Sequence, residues 1–230
     1  MIIIGHRGAA GYEPENTLRS FQKAIDLNVD MIEFDVQLCK SGEVVIFHDD
    51  SLERTTNGAG LVSETSLAEL QTLDAGKAQK IPTLTETFET IGSKVKMNVE
   101  LKGSSTAKPV SQIIRRFVDS GKIRQEDILV SSFMMDELLI VRRLFPELKI
   151  APLFYKLPED FSEIASILKA WSINLNLKFL TENDVKRVHA SGYKLYVYTV
   201  NKAEDKARIQ NWGVDGIFTD LPEFGEPGRV

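Results

Sequence analysis

Reactive side chains in this sequence sit where apolar runs end or alternate with them. His6 and Arg7 follow Ile2-Ile3-Ile4-Gly5, Glu33 and Asp35 flank Phe34, and Glu100 and Lys102 flank Leu101. His48 follows Val44-Val45-Ile46-Phe47 and precedes Asp49 and Asp50, either of which can orient or charge it. In an extended strand alternate residues share a face, so Glu33 and Asp35 point one way and Phe34 and Val36 the other. Carboxylates on such strands are costly unless something neutralises them. Two compensators are open on the paired acids alone: an ion network with Arg7 and Lys102, or a divalent metal. Glu33, Asp35 and Glu100 offer only oxygen, a donor set for Mg²⁺ or Ca²⁺, with Mn²⁺ also compatible, rather than zinc. Charge favours the metal. With a divalent cation, Arg7 and Lys102, the carboxylates leave one net positive charge, which a phosphodiester monoanion would neutralise. Two histidines beside such a site, His6 and His48, can serve as general base and general acid. His189, among Lys186, Arg187 and Ser191, reads as a surface histidine.

The elements that must position these residues alternate regularly. Strands are expected at residues 2–5, 31–36, 95–101, 128–132, 150–154, 172–177, 194–200 and 216–219. Helices are expected at residues 17–28, 84–93, 108–120, 134–145, 161–169, 182–191 and 203–211. Thr181 and Asn201 stand at helix-cap positions, and Gly192 and Gly213 at helix ends. Eight such strands alternating with helices predict a TIM (β/α)₈ barrel, with an open doubly wound sheet as the fallback. Lys40-Ser41-Gly42-Glu43 is a turn that folds residues 44–47 back on the second strand as a hairpin. The expectation is therefore one domain over residues 1–230, with an insertion at about 38–83 after the second strand. The tail after Asp220, with two prolines and two glycines, predicts an absent or very short final helix. In this topology the strand C-termini form the active face, where His6, Arg7, Glu100, Lys102, Thr219 and Asp220 all fall.

Composition excludes other classes. A net charge of −5 argues against nucleic acid or an anionic membrane surface as the main partner. No apolar stretch approaches the roughly 20 residues that cross a bilayer, so no stable membrane insertion is expected. Cys39 is the only cysteine, so no intrachain disulfide forms. Met1-Ile2-Ile3-Ile4 lacks the pattern of a secretory leader, and the expected location is cytoplasmic.

His6-Arg7-Gly8, Glu15-Asn16-Thr17, Glu33-Phe34-Asp35-Val36, Phe47-His48-Asp49 and Glu100-Leu101-Lys102 occur in an order that resembles the glycerophosphodiester phosphodiesterase family. The C-terminal run from Gly213 to Pro222 is similar to that family's ending as well. The resemblance implies a TIM barrel that hydrolyses small-molecule phosphodiesters. Examples are glycerophosphocholine and glycerophosphoethanolamine, cleaved to sn-glycerol 3-phosphate and an alcohol. It implies Glu33, Asp35 and Glu100 as metal ligands and His6 and His48 as base and acid. Arg7 and Lys102 would bind the phosphate, while Glu15 and Asn16 brace the mouth. The family often carries Trp-Thr-Val-Asn where this chain has Tyr198-Thr199-Val200-Asn201, so Tyr198 is expected to alter the alcohol-side pocket. Two rivals stand beside this reading: a phosphodiesterase for lysophospholipids or phosphoinositides, and a non-catalytic barrel that binds phosphate esters. The first would need an apolar surface on the insertion, and the second leaves the histidines and acids unexplained.

Overall fold

The structure is a computed structural model that describes residues 1–223. Eight parallel strands close on themselves: β1 (Ile2–Gly5), β2 (Met31–Leu38), β4 (Lys96–Leu101), β5 (Ile128–Ser132), β6 (Lys149–Phe154), β7 (Ser172–Asn176), β8 (Lys194–Tyr198) and β9 (Gly216–Thr219). β1 pairs with both β2 and β9, so the ring is complete and the open-sheet fallback is excluded. Register places Met31, Lys96 and their alternates toward the barrel axis. The interior is filled by Ile4, Met31, Leu129, Ala151, Tyr196 and Phe218. Outward-facing residues such as Phe34, Val99 and Val130 pack instead against the surrounding helices.

Those helices are α1 (Leu18–Asp26), α3 (Leu84–Ile91), α4 (Ala107–Asp119), α5 (Met135–Leu144), α6 (Phe161–Leu168), α7 (Glu182–Ala190) and α8 (Ala203–Asn211). Local chemistry explains several boundaries. Thr83 and Thr181 each close a capping box that satisfies otherwise unpaired amides at the starts of α3 and α7. Gly192 and Gly213, at φ of 82° and 89°, follow the ends of α7 and α8, where a left-handed residue stops a helix. Asn201 does not cap α8 as expected; Lys202 holds that position, because the Asn201 amide is taken up by Asp220. β7 and β8 stop short of the expected 177 and 200, and β7 runs into a single helical turn at Leu177–Phe179. The expectation for the tail rests largely on residues 224–230, which lie outside the described residues.

β1 is short, and that shortness builds the site. A side chain at Gly5 would meet the Gly8 carbonyl oxygen at 2.4 Å, so only glycine lets the chain turn so tightly there. Once β1 turns away, the upper edge of β2 is free, and β3 (Val44–Ile46) occupies it in antiparallel pairing from Val36↔Ile46 to Leu38↔Val44. The hairpin thus delivers His48 to the same end of the barrel as His6. Between β3 and α3 the chain forms a short helix, α2 (Leu67–Leu70), over a small core that includes Val45, Phe47, Leu52, Val62 and Ile81.

Candidate active site

A cavity of about 200 Å³ opens at the C-terminal ends of the strands. Its polar lining includes His6, Arg7, Glu33, Asp35, His48, Glu100 and Lys102, and its apolar lining Phe133, Leu153, Tyr155, Tyr198 and Phe218. Every catalytic, metal and phosphate residue expected from the sequence lines this cavity.

The three acids converge from neighbouring strands because β2 and β4 pair with Asp35 opposite Glu100. One oxygen from each of Glu33, Asp35 and Glu100 lies within 4.8 Å of the others. Glu33 Oε2 accepts from the Arg7 amide at 2.8 Å, and Asp35 Oδ2 accepts from Asn16 Nδ2 at 2.9 Å. Glu100 Oε1 accepts from Lys102 Nζ at 3.2 Å. Glu33 Oε1 is buried with no hydrogen-bond partner among the described residues. Burial, and after it the charge of Asp35, pushes the Glu100 carboxyl up to about 7 and raises Glu33 well above the carboxylate range. An orphaned buried oxygen in a crowded all-oxygen triad fits a hard divalent cation, and these three side chains can hold one.

Each histidine is oriented by a carboxylate. His6 Nδ1 lies 2.6 Å from Asp220 Oδ1, which fixes the proton on Nδ1 and leaves Nε2 as an acceptor. Asp220 is itself held by Asn201, whose Nδ2 donates to Oδ2 at 2.5 Å and whose Oδ1 accepts from the Asp220 amide at 2.9 Å. Burial alone would raise the Asp220 pKa, but the His6 and Asn201 hydrogen bonds outweigh it and hold the carboxyl low. His48 Nδ1 lies 2.5 Å from Asp49 Oδ1, so Asp49 rather than Asp50 is its orienter. Lys102 Nζ stands 3.2 Å from His48 Nε2, where the ammonium donates to a neutral ring. Burial, above all, pulls the His48 pKa below its ordinary value.

Arg7 adopts a left-handed backbone at φ 51°, an uncommon conformation for a long side chain. It is held there by its backbone N–H, which donates to Glu33 Oε2, and by its Nη1, which donates to Glu15 Oε1 at 2.6 Å. Glu15 and Asn16 therefore do not line the cavity; they reach it through Arg7 and Asp35. Burial would raise Glu15, yet hydrogen bonds from Arg54 and the charge of Arg7 keep it at about 2. Tyr198 presents its ring to the cavity, and its hydroxyl donates to the Phe154 carbonyl at 2.9 Å. Phe133 stacks on Tyr155 at 4.8 Å and meets Tyr198 edge-on at 6.1 Å, continuing the aromatic wall. His189 pairs with Asp215 at 2.9 Å, outside the cavity.

Sequence reasoning missed Asn201, Arg54, Phe133 and Tyr155, and noted Asp220 only as a strand end. The signal for Asp220 was present, since an acid closing the last strand neighbours the first, where His6 stands. Arg54 had none, because it stands in an irregular stretch of the insertion.

The sequence pattern of the glycerophosphoryl diester phosphodiesterase family matches residues 6–224. The chain is 36% identical to the glycerophosphodiester phosphodiesterase of Caldanaerobacter subterraneus over 96% of its length and 95% of the relative's. It is 33% identical to that of Bacillus altitudinis, over 96% and 95%. Among solved structures, a phosphodiesterase of Oleispira antarctica in complex with the product sn-glycerol-3-phosphate superposes with a TM-score of 0.91 at 32% identity, covering 97% and 94% of the two chains. With that barrel and that breadth of similarity, the chain belongs to the glycerophosphoryl diester phosphodiesterase family and is a phosphodiester hydrolase.

Proposed function

We propose that the whole chain acts as one catalytic domain, its insertion at about 38–83 included. It hydrolyses glycerophosphodiesters such as glycerophosphocholine or glycerophosphoethanolamine to sn-glycerol 3-phosphate and an alcohol. One observation carries this reading: a buried oxygen-only triad shares its cavity with two histidines, each pinned at Nδ1 by a carboxylate. Glu33, Asp35 and Glu100 would hold Mg²⁺, Ca²⁺ or Mn²⁺, which supplies Lewis-acid stabilisation of charge on the non-bridging phosphate oxygens. Arg7 and Lys102 bind the phosphate and share that charge. His6 Nε2 takes the proton of the glycerol 2-hydroxyl, whose oxygen bonds to phosphorus as the alcohol oxygen departs. Once the phosphate has drawn Lys102 away, His48 acts as the imidazolium, its Nδ1–H on Asp49, and gives that oxygen its Nε2 proton; a five-membered cyclic phosphate results. Water then opens the ring with the two roles reversed. The insertion turns Val45, Phe47, Leu52 and Val62 into its own core, which favours deacylated diesters over lysophospholipids.

Intramolecular attack gains a large proximity advantage over recruiting water. A diester lacking the 2-hydroxyl should therefore bind but release essentially no alcohol. If the deoxy compound turns over like its parent, water is the nucleophile. The exchanged assignment, with His48 as base, has one observation in its favour: the lowered His48 pKa and the Lys102 donor leave that ring neutral.

The triad also sets a pH dependence. In the metal-free protein the Glu100 pKa is raised from 4.5 to about 7, so its contribution to stability is complete below about 4.5 and is lost as pH rises through about 7. A cation removes the loss by keeping the carboxylates ionised at no penalty. Melting temperatures of metal-free and metal-loaded protein should diverge as pH climbs from about 5 to about 8. A gap that stays constant across that window would contradict the ligand assignment.

A further inference from the structure

Arg54 is half exposed, belongs to the insertion rather than to any barrel strand, and does not line the cavity. Its guanidinium nevertheless makes four hydrogen bonds. Nε donates to Asp49 Oδ2 at 2.5 Å and Nη2 to Asp49 Oδ1 at 3.0 Å, a two-pronged grip on the carboxylate that orients His48. Nη1 donates to Glu15 Oε2 and Nη2 to Glu15 Oε1, both at 2.8 Å, a second grip on the carboxylate that holds Arg7. The chain of contacts His48–Asp49–Arg54–Glu15–Arg7 thus joins a histidine delivered by the hairpin to an arginine at the end of β1.

Charge makes this link necessary. Asp49 and Glu15 share the Nη2 nitrogen, so without the guanidinium two carboxylates would face each other across a small gap. Hydrogen bonds from Arg54 are the leading influence that holds Asp49 far below the carboxylate range. An Asp49 that stays ionised accepts the His48 Nδ1–H, supports the imidazolium from which Nε2 gives its proton, and fixes the plane of the ring. The planar fork also fixes angles that a lysine ammonium cannot, because only the fork meets two carboxylates edge-on.

We infer that Arg54 is a positioning residue for this reaction: it sets the orientation of His48 through Asp49 and, secondarily, of Arg7 through Glu15. On this account the insertion serves catalysis by supplying the strut between the two, and does not merely cover the barrel. The inference rests on the reading of His48 as a catalytic residue.

The test is a double-variant cycle of Arg54→Ala and His48→Ala, with Arg54→Lys alongside, assayed on glycerophosphocholine and on a nitrophenyl ester of glycerol phosphate. Metal content and melting temperature are checked in each variant. Arg54→Ala should lower kcat on glycerophosphocholine by about 10- to 100-fold, the usual cost of removing an outer-shell partner. The loss should be much smaller on the nitrophenyl ester, whose leaving group needs no proton. Arg54→Lys should recover little of it. In the His48→Ala background the kcat loss should vanish, while a modest rise in KM through Arg7 persists on both substrates. A kcat for Arg54→Ala within about twofold of the parent, or the same kcat factor with and without His48, overturns the inference. If His48→Ala is crippled and Arg54→Ala is not, Arg54 alone loses its role. If His48→Ala is itself unimpaired, the catalytic reading of His48 falls and this inference with it.

Discussion

His6→Ala should be crippled on every diester, whereas His48→Ala should be crippled only on those with a poor leaving group. Without His6 the glycerol 2-hydroxyl keeps its proton and no nucleophile forms, whatever alcohol is to depart. A choline alkoxide needs a proton as it leaves, while a nitrophenolate does not. His48→Ala should therefore cost on the order of 10²–10⁴-fold with glycerophosphocholine, the usual worth of general acid–base catalysis, and far less with a nitrophenyl ester. The structure gives both rings the same support, a carboxylate at Nδ1, so geometry at that nitrogen does not separate them. Their other surroundings differ. His48 faces the Lys102 ammonium, and His6 stands at the end of β1 with Asp220, itself held by Asn201, behind it. Steady-state kinetics of the two variants on the two substrates decide the matter. The reverse pattern, with His6→Ala rescued by the good leaving group, exchanges the roles. Equal losses throughout remove the support for any acid–base division.

Glu100→Gln should abolish turnover and at the same time make the metal-free protein more stable. The substitution keeps the shape of the side chain and removes one of three charges crowded into a buried triad. Metal affinity should fall by more than the 10–100-fold that loss of an outer-shell partner costs, because a direct ligand has gone. Stability moves the other way. The carboxyl pushed up to about 7 is ionised at pH 8 only against burial and the charge of Asp35, and glutamine escapes both. A gain on the order of 1–3 kcal/mol at pH 8 is expected in the metal-free state. Isothermal titration with Mg²⁺ and thermal unfolding of both proteins after chelation measure the two effects. A variant that binds metal as tightly as the parent removes Glu100 from the ligand set. A variant less stable than the parent in the metal-free state means that the Lys102 ion pair outweighs the burial cost.

The fold was legible because its signals are local and repeated. β1, β5 and β9 were readable to the residue, since each is a short apolar run bounded by polar or turn residues. Strand alternation put Glu33 and Asp35 on one face without any knowledge of the third dimension, and β2–β4 pairing then brought Glu100 beside them. What was not legible is what joins residues far apart in the chain. Asp220 meets His6 across 214 positions, a contact that exists only because the barrel closes β9 against β1. Asn201 looked like a helix cap because side-chain amides favour that position, yet two hydrogen bonds to Asp220 claim it instead. The resemblance implies that Glu15 and Asn16 brace the mouth, and what the sequence does not show is the route: Glu15 bonds to Arg7 and Asn16 to Asp35. The aromatic wall is not legible because Phe133 and Tyr155 sit just beyond the ends of β5 and β6, where an isolated aromatic carries no pattern.

Release of sn-glycerol 3-phosphate from glycerophosphocholine and glycerophosphoethanolamine, followed before chelation, after exhaustive chelation and after metal return, tests the account most directly. Product should form at the outset, cease when the metal is removed, and resume with Mg²⁺, Ca²⁺ or Mn²⁺ more fully than with Zn²⁺. Undiminished release from protein shown to be free of metal would contradict the role of Glu33, Asp35 and Glu100 as ligands of a catalytic cation.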